Sequence, residues 1–256
     1  MDKKNREFSL EHKEHYSVRK AQHEQDMSDY WDNSLGTTLD KLNNFTKFVS
    51  KQSLCRFLAK NEIFQHVKNV HGHIVECGVF LGGGLSTWAH LSSIYDPYNY
   101  MQKVIGFDTF DGFVEIAEQD GDESMVEFKK TGGLLCDSYE DLHEFTRLYQ
   151  NSRPLPQFSN IELVKGDACK TIPQYIEDNK HLVVSLLYLD FDIYKPTKIA
   201  IESLIERMPK GSVIAFDELN QKEWPGETMA VIETLGIRNL ELKRTQFSTA
   251  ISYAIL

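Results

Sequence analysis

The sequence predicts an α/β fold in which a mostly parallel, seven-stranded sheet carries helices on both faces. After His73, short apolar segments alternate with segments of helical periodicity, and this alternation is typical of parallel strands joined by helices. The chain has 256 residues, of which 41% are hydrophobic and 26% are charged, so it can bury one substantial core. A single α/β domain with an N-terminal appendage follows from these observations.

Each element of the predicted fold is assigned from its local pattern. Short apolar runs bounded by turn residues indicate strands, and apolar residues at three- and four-residue steps indicate helices. Strands are predicted at Ile74–Cys77, Lys103–Asp108, Ile161–Lys165, Leu182–Asp190 and Ser212–Asp217, with two closing strands at Leu240–Arg244 and Thr249–Ile255. Helices are predicted at Ser86–Tyr95, Tyr139–Tyr149, Thr197–Met208 and Thr228–Leu235.

The N-terminal segment, residues 1–70, is predicted to form a helical arm beside the core domain of residues 71–256. Residues 1 to about 43 are polar and rich in charge. They cannot form a core alone and would be either mobile or a cover for another surface. Residues 44–70 carry apolar side chains at helical steps, which predicts one or two amphipathic helices leading into the core.

A long insertion, residues 114–137, follows the second predicted strand. It contains acidic residues and three glycines but little apolar periodicity. Loops of this length in compact domains are usually functional or disordered. Because this one follows a strand whose carboxyl end should face a ligand, we expect it to act as a lid, together with Tyr30 and Trp31 of the arm.

The charge balance restricts the class of partner. The chain has 28 basic and 38 acidic residues, a formal net charge of -10, which disfavours nucleic acid and anionic membrane surfaces. No apolar run approaches the roughly 20 residues of a membrane span, and the N-terminal sequence lacks the apolar centre of a secretory signal, so we expect a cytoplasmic protein. The four cysteines form no CxxC pair and are expected to be reduced thiols. A small uncharged or cationic ligand suits this composition best.

A glycine-rich turn follows the first predicted strand. Glu76 lies near the end of that strand, and Gly78, Gly82, Gly83 and Gly84 lie in the turn before the next helix. Glycines at this position let the backbone approach a ligand closely and expose amide donors at the helix start. The spacing E-x-G-x-x-x-G differs from the G-x-G-x-x-G of dinucleotide-binding proteins. It favours a ligand of the methionine type, whose amino group would pair with an acid.

Two further acids lie at or just after the ends of predicted strands. Asp108 ends the second strand, at the distance from the glycine turn where an acid in such folds reaches ribose hydroxyls. Asp167 follows the third strand and could accept a hydrogen bond from the exocyclic amine of adenine. The alternative is that Asp167 caps a helix over residues 171–177.

Four carboxylates lie at the ends of the fourth and fifth predicted strands or directly after them. Asp190 and Asp192 are two residues apart, and in an extended chain such residues face the same side, so both can point toward one site. Asp217 and Glu218 lie at the end of the next strand. Neighbouring strands would gather all four at the carboxyl edge of the sheet, where their charge is costly unless a cation neutralises it. Oxygen ligands favour Mg²⁺, Ca²⁺ or Mn²⁺, any of which can bind and activate a substrate hydroxyl. The alternative is that these acids cap the helices that follow them.

These segments resemble the macrocin-type sugar O-methyltransferases, the TylF/MycF group, which modify deoxysugars of macrolides and related natural products. The similarity runs from about Asn44 to the end of the chain, and its markers are VECGVFLGGG, GFDTFDGF, LDFDIYKPT and FDELNQKEWPGET. The resemblance implies a Rossmann-like class I methyltransferase fold with S-adenosylmethionine as cofactor. It also implies a Mg²⁺ ion held by acids at the ends of the fourth and fifth strands.

The resemblance further implies roles for particular residues. Asp192 would be the general base, and the metal ligands would be Asp190, Asp217 and Glu218. Glu218 stands where the family commonly has Asp, and its longer side chain leaves direct coordination open. The cofactor-binding residues would be Glu76, Gly78 and Gly82 around the methionine part, Asp108 at the ribose, Asp167 and Ala168 at the adenine, with Ser86, Thr109 and Asp190 completing the set.

The reaction expected from this resemblance is transfer of a methyl group to a small-molecule hydroxyl that a divalent cation activates, with a sugar as the favoured acceptor. A phenolic or catechol-like acceptor is the alternative, since a metal polarises either hydroxyl. A non-catalytic cofactor-binding protein of the same fold is a third interpretation. The sequence leaves open the acceptor, the methylated position and the oligomeric state, a homo-oligomer being one option.

Overall fold

The computed structural model describes residues 18–122, 124 and 126–256, and its centre is a seven-stranded sheet. The strands are β1 His73–Cys77, β2 Val104–Asp108, β3 Ile161–Lys165, β4 Val184–Leu189, β5 Val213–Phe216, β6 Lys243–Arg244 and β7 Ser252–Ile255. Their order is β3-β2-β1-β4-β5-β7-β6. Strands β1 to β5 are parallel, and β7 runs antiparallel to both β5 and β6. The predicted mostly parallel, seven-stranded sheet is confirmed.

Helices pack on both faces of the sheet. The α-helices of the described residues are α1 Val18–Asn33, α2 Thr38–Asn43, α3 Lys51–Val67, α4 Gly83–Tyr95, α5 Tyr139–Asn151, α6 Ala168–Asp178, α7 Tyr194–Leu204 and α8 Pro225–Thr234, of which α3 to α8 contribute to the packing. One buried cluster joins residues of α3, α4 and α5 to the sheet, and a second joins residues of α6, α7 and α8 to it. Alternate residues of a strand face opposite sides, so Ile74 packs in the first cluster and Val75 in the second. Full burial of such side chains contributes about 1.5–3 kcal/mol each.

Most element boundaries differ from the sequence prediction by a few residues. Helix α4 starts at Gly83 rather than Ser86, and α7 starts at Tyr194 rather than Thr197. Each start lies in a segment without apolar periodicity, so the pattern located only the second turn of the helix. The closing strands are shorter than predicted, because β6 spans only Lys243–Arg244, and β7 spans only Ser252–Ile255, the residues that pair with β5. Helix α6 corresponds to the helix over residues 171–177 in the capping alternative for Asp167, and it begins earlier, at Ala168.

The chain divides into two compact units, one ending at Leu54 and the other spanning Cys55–Leu256. In the first unit, Thr37 and Asp40 form a reciprocal capping box at the start of α2. The rings of Tyr30 and Trp31 contact the Phe48 ring, with centroid distances of 5.5 and 4.8 Å. The first part of the predicted arm, residues 1–17, lies outside the described residues.

The described residues contain no helix long and apolar enough to cross a membrane. None of the four cysteines, all of which lie in the described part of the chain, forms a disulfide bond. Burial raises the pKa of the Cys77 thiol well above its usual value, so this side chain is a buried filler rather than a nucleophile.

Candidate active site

The glycine-rich turn after β1 lies against the end of β4. Gly78 has a φ of 95°, in the left-handed region that side chains disfavour. A Cβ atom at this position would lie 1.9 Å from the carbonyl oxygen of Asp190. Close approach of the two strand ends therefore requires glycine here, and it places Asp190 next to the turn.

The carboxylate of Asp108 forms hydrogen bonds with the backbone of the glycine-rich turn. Its Oδ2 atom accepts hydrogen bonds from the N–H groups of Val79 and Phe80 at 2.7 and 2.9 Å, and Oδ1 accepts one from Phe110 at 2.7 Å. Phe80 and Phe110 have φ values of 51° and 54°, which cost free energy for a residue with a side chain. The carboxylate thus stabilises two strained turns, in addition to the ribose contact predicted for it.

Glu76 lies buried beneath the turn, with only 1% of its surface exposed. A Cβ atom on Gly84 would lie 1.8 Å from Glu76 Oε1, so glycine is needed to leave room for this carboxylate. Burial raises the pKa of Glu76 to about 7, against the opposing charge of Lys60. Its Oε2 atom has no hydrogen-bond partner within the described protein. A buried acid with an unpartnered oxygen is suited to a cationic group of a ligand.

The remaining predicted cofactor residues lie at the same edge of the sheet. Asp167 is the N-cap of α6, with Oδ1 accepting from the Cys169 N–H at 3.0 Å, so the capping alternative describes its observed contact. The adenine contact stays a prediction. Gly82 and Ser86 lie at the start of α4, Ala168 is the buried first residue of α6, and Thr109 closes the turn after β2 by donating to the Gly112 carbonyl at 2.7 Å.

Three of the four predicted acids converge. Asp190, Asp192 and Glu218 each offer an oxygen atom, and these atoms lie within 4.8 Å of one another. Asp192 has a φ of 64°, a strained conformation for aspartate. None of the three is the N-cap of a following helix, because α7 begins after Ile193 and α8 begins after Trp224. The helix-cap alternative for these acids is therefore wrong.

Asp217, the fourth acid, is already paired. Arg56 of α3 contacts both of its carboxylate oxygens at 2.9 to 3.1 Å, and the Tyr188 hydroxyl donates to Oδ1. Although burial alone would raise the pKa of Asp217, the charges of Arg56 and Lys60 hold it below its ordinary value. Arg56 also lies 3.7 Å from Asp190. Asp217 is therefore neutralised by a cation from the chain itself.

The three converging acids are compensated less completely, although Arg56 and Lys60 partly offset the charge of Asp190. Burial and the charge of Asp217 raise the pKa of Asp190 and of Glu218 well above their usual values, and raise the pKa of Asp192 to about 7. The Glu218 Oε2 atom is buried and has no hydrogen-bond partner within the described protein. Glu227 of α8 accepts from the Glu218 N–H at 3.0 Å and adds another buried carboxylate. The arrangement has the donor chemistry of a hard-cation site.

Sequence reasoning missed the two cations that α3 contributes. Arg56 and Lys60 are four residues apart, so they share one face of the helix. Lys60 is 3% exposed, and its ammonium lies 3.6 Å from the centre of the Tyr188 ring. The available signal was two basic residues at helical spacing on the apolar side of an amphipathic helix, where a charge needs a partner.

The strand order and the two sets of functional groups define a class of protein. A glycine-rich turn after β1 and acids after β4 and β5 occupy the carboxyl edge of the sheet, where ligands bind in open α/β folds. The solved structure of NovP, an O-methyltransferase, has the same fold, with a TM-score of 0.61 and 20% identity over 78% of this chain and 79% of that one. The fold is thus that of the Rossmann-like methyltransferases.

The chain belongs to the Macrocin-O-methyltransferase (TylF) family, whose pattern matches residues 10–234. It is similar to CalS11, a calicheamicin methyltransferase, with a TM-score of 0.90 and 29% identity over 98% of each chain. An apo structure of CalS11, there described as a TDP-rhamnose 3'-O-methyltransferase, has a TM-score of 0.81 and 30% identity over 94% of this chain and 96% of that one. No curated protein shows significant similarity. The family match and the similarity to CalS11 identify the protein as an O-methyltransferase.

Proposed function

We propose that the protein transfers the methyl group of S-adenosylmethionine to a hydroxyl of a sugar or glycosylated small molecule, with a divalent cation as activator. The observation that carries the proposal is the convergence of three carboxylates beside a glycine-rich turn at one edge of the sheet. Similarity to CalS11, which is described as acting on TDP-rhamnose, supports a sugar acceptor.

The residues around the glycine turn fit the cofactor. Glu76 is a buried acid with an unpartnered oxygen, as expected for a group that meets the ammonium of the methionine part. The amides at the start of α4 and the Asp108 carboxylate add polar groups at the same edge. S-adenosylmethionine would supply the electrophilic methyl group there.

The converging acids fit a divalent cation, because Glu218 has an orphaned buried oxygen and all the donors are carboxylates. Asp190 and Glu218 would hold the ion, which would lower the pKa of an acceptor hydroxyl. Asp217 would join them only if Arg56 left its carboxylate. Asp192 would accept the hydroxyl proton as the oxygen forms its bond to the methyl carbon and the carbon–sulfur bond breaks. The protein's main contribution is to orient the oxygen in line with that bond.

The direct test is methyl transfer with defined acceptors. TDP-rhamnose and catechol, each supplied with S-adenosylmethionine and Mg²⁺, separate the sugar from the phenolic acceptor by mass spectrometry of the products. Methylation of TDP-rhamnose supports the proposal. Methylation of catechol alone would overturn the sugar acceptor, and methylation of neither in a broad panel of hydroxyl compounds would favour a cofactor-binding protein without turnover.

Cofactor binding can be tested without an acceptor. S-adenosylhomocysteine at 100 times its Kd should stabilise the protein by about 2.7 kcal/mol, seen as a rise in Tm. Asp108→Asn should abolish most of this rise, because an amide cannot accept three backbone N–H groups as the carboxylate does. Asp111→Asn, an exposed acid on the same loop, is the matched control and should behave like wild type. An equal rise in all three proteins would contradict the role of Asp108.

The competition between Arg56 and a divalent ion gives a second prediction. Arg56→Gln should tighten Mn²⁺ binding by about 10-fold, because a charge that lies close to two of the acids no longer repels the ion. Electron paramagnetic resonance of free Mn²⁺ measures this affinity directly. Arg147→Gln, at an exposed ion pair on α5, controls for net charge. Weaker binding in Arg56→Gln would mean instead that Arg56 holds the site in its binding geometry.

A further inference from the structure

The segment between β2 and α5 is anchored by one buried carboxylate. Asp120 ends a short helical turn, Glu118–Asp120, and only 1% of its surface is exposed. Its Oδ2 atom accepts from the Ala117 N–H at 2.8 Å within the segment. Its Oδ1 atom accepts from the Tyr194 N–H at 2.7 Å, across 74 residues of sequence. The same side chain therefore joins the insertion to the chain that leaves β4.

Tyr194 is the first residue of α7, and its N–H is one of the groups that a helix start leaves without an internal partner. The N-cap residue, Ile193, makes no side-chain capping bond. Asp120 takes that place from outside the helix, and its negative charge is favourable at a helix N-terminus. The start of α7 is thus fixed by a residue of the insertion.

The insertion also contacts the chain that follows β5. A Cβ atom on Gly226 would lie 2.0 Å from Asp120 Oδ1 and 2.6 Å from the Tyr194 nitrogen, so glycine leaves room for this bond. The Lys129 ammonium donates to the Asp120 carbonyl at 2.9 Å and to the Glu223 carbonyl. Asp120 and Lys129 of the insertion therefore contact both chain segments that carry the converging acids, the one after β4 and the one after β5.

We propose that Asp120 is a positioning residue for methyl transfer: through the Tyr194 N–H it fixes the turn from Asp190 to Tyr194 and so the orientation of Asp192. Asp192 lies two residues before Tyr194 and has a φ of 64°. A strained residue of this kind persists only where the surrounding structure over-determines it. The inference rests on the proposed function, because it assigns Asp192 the role of proton acceptor.

The test compares Asp120→Ala with Asp122→Ala, an exposed acid in the same insertion. Amide exchange at Tyr194 should be about 10-fold faster or more in Asp120→Ala, because its acceptor is lost. The kcat for methyl transfer should fall by about 10- to 100-fold, as expected when a catalytic group is misplaced by about 1 Å. The Kd for S-adenosylhomocysteine should stay unchanged, and Asp122→Ala should match wild type throughout.

Asp120→Asn separates positioning from folding, because its amide oxygen can still accept from the Tyr194 N–H. It should recover part of the kcat lost in Asp120→Ala. Unchanged Tyr194 exchange, or an unchanged kcat per folded molecule with only a lower Tm, would overturn the role of Asp120. A wild-type protein that binds no S-adenosylmethionine and transfers no methyl group would instead overturn the proposed function.

Discussion

Replacing Asp192 by Asn is expected to slow turnover by about 10²- to 10⁴-fold, the usual contribution of a positioned general base. The amide has nearly the shape of the carboxylate but cannot accept the proton of the acceptor hydroxyl. Asp192 is the converging acid that the proposal leaves free of the ion, so its carboxylate is available to the proton. Single-turnover kinetics with bound cofactor measure this step apart from product release.

A comparison with Asp190→Asn distinguishes a general base from a metal ligand. Loss of a metal ligand should weaken Mn²⁺ binding, and an excess of Mg²⁺ should restore part of the turnover. In Asp192→Asn the cofactor Kd should stay at the wild-type value, and an excess of metal should restore nothing. Recovery of Asp192→Asn by metal would show that this residue is a ligand, and a wild-type rate in chelator would contradict metal activation altogether.

Gly78→Ala is expected to lower the free energy of unfolding by about 3 kcal/mol, and to weaken binding of S-adenosylhomocysteine. The methyl group would meet the Asp190 carbonyl at 1.9 Å, a contact that only movement of the backbone relieves. The φ of 95° adds the cost of a left-handed conformation for alanine. Urea unfolding gives the first quantity and calorimetry gives the second.

Gly83→Ala is the matched control from the same glycine run. Gly83 begins α4, and a Cβ atom there would have nothing within 4 Å. Its free energy of unfolding should stay within about 0.5 kcal/mol of wild type, since alanine is the better helix former. Equal destabilisation by both substitutions would mean that the turn is sensitive to any side chain, not to the approach of Asp190.

The strands of the sheet could be predicted from the sequence because they are short apolar runs with clear ends. Ile161–Lys165 was predicted at its observed bounds, and the order of elements along the chain follows from the alternation. The acids could be placed at one edge because parallel strands deliver their carboxyl ends together. Periodicity carries this information locally, so one sequence is enough to recover it.

The electrostatic partners of those acids could not be predicted in the same way. Arg56 and Asp217 are 161 residues apart, and no local pattern couples them. The sequence therefore grouped Asp217 with Asp190 and Glu218 as expected metal ligands, whereas its direct hydrogen bonds with Arg56 distinguish it from both. The same holds for Asp120, whose acceptor role at α7 depends on where the insertion folds back.

The two cations of helix α3 affect where related enzymes can be joined to form a chimaera. Arg56 and Lys60 precede residue 71, the boundary that the sequence suggests, yet they balance one acid within β1 and others that follow β4 and β5. A chimaera joined at residue 71 would combine the acids of one parent with the cations of another. A junction between residues 54 and 55, where the compact units meet in sequence, keeps each parent's charges together. Recombination among such enzymes should therefore tolerate the earlier junction better than the later one.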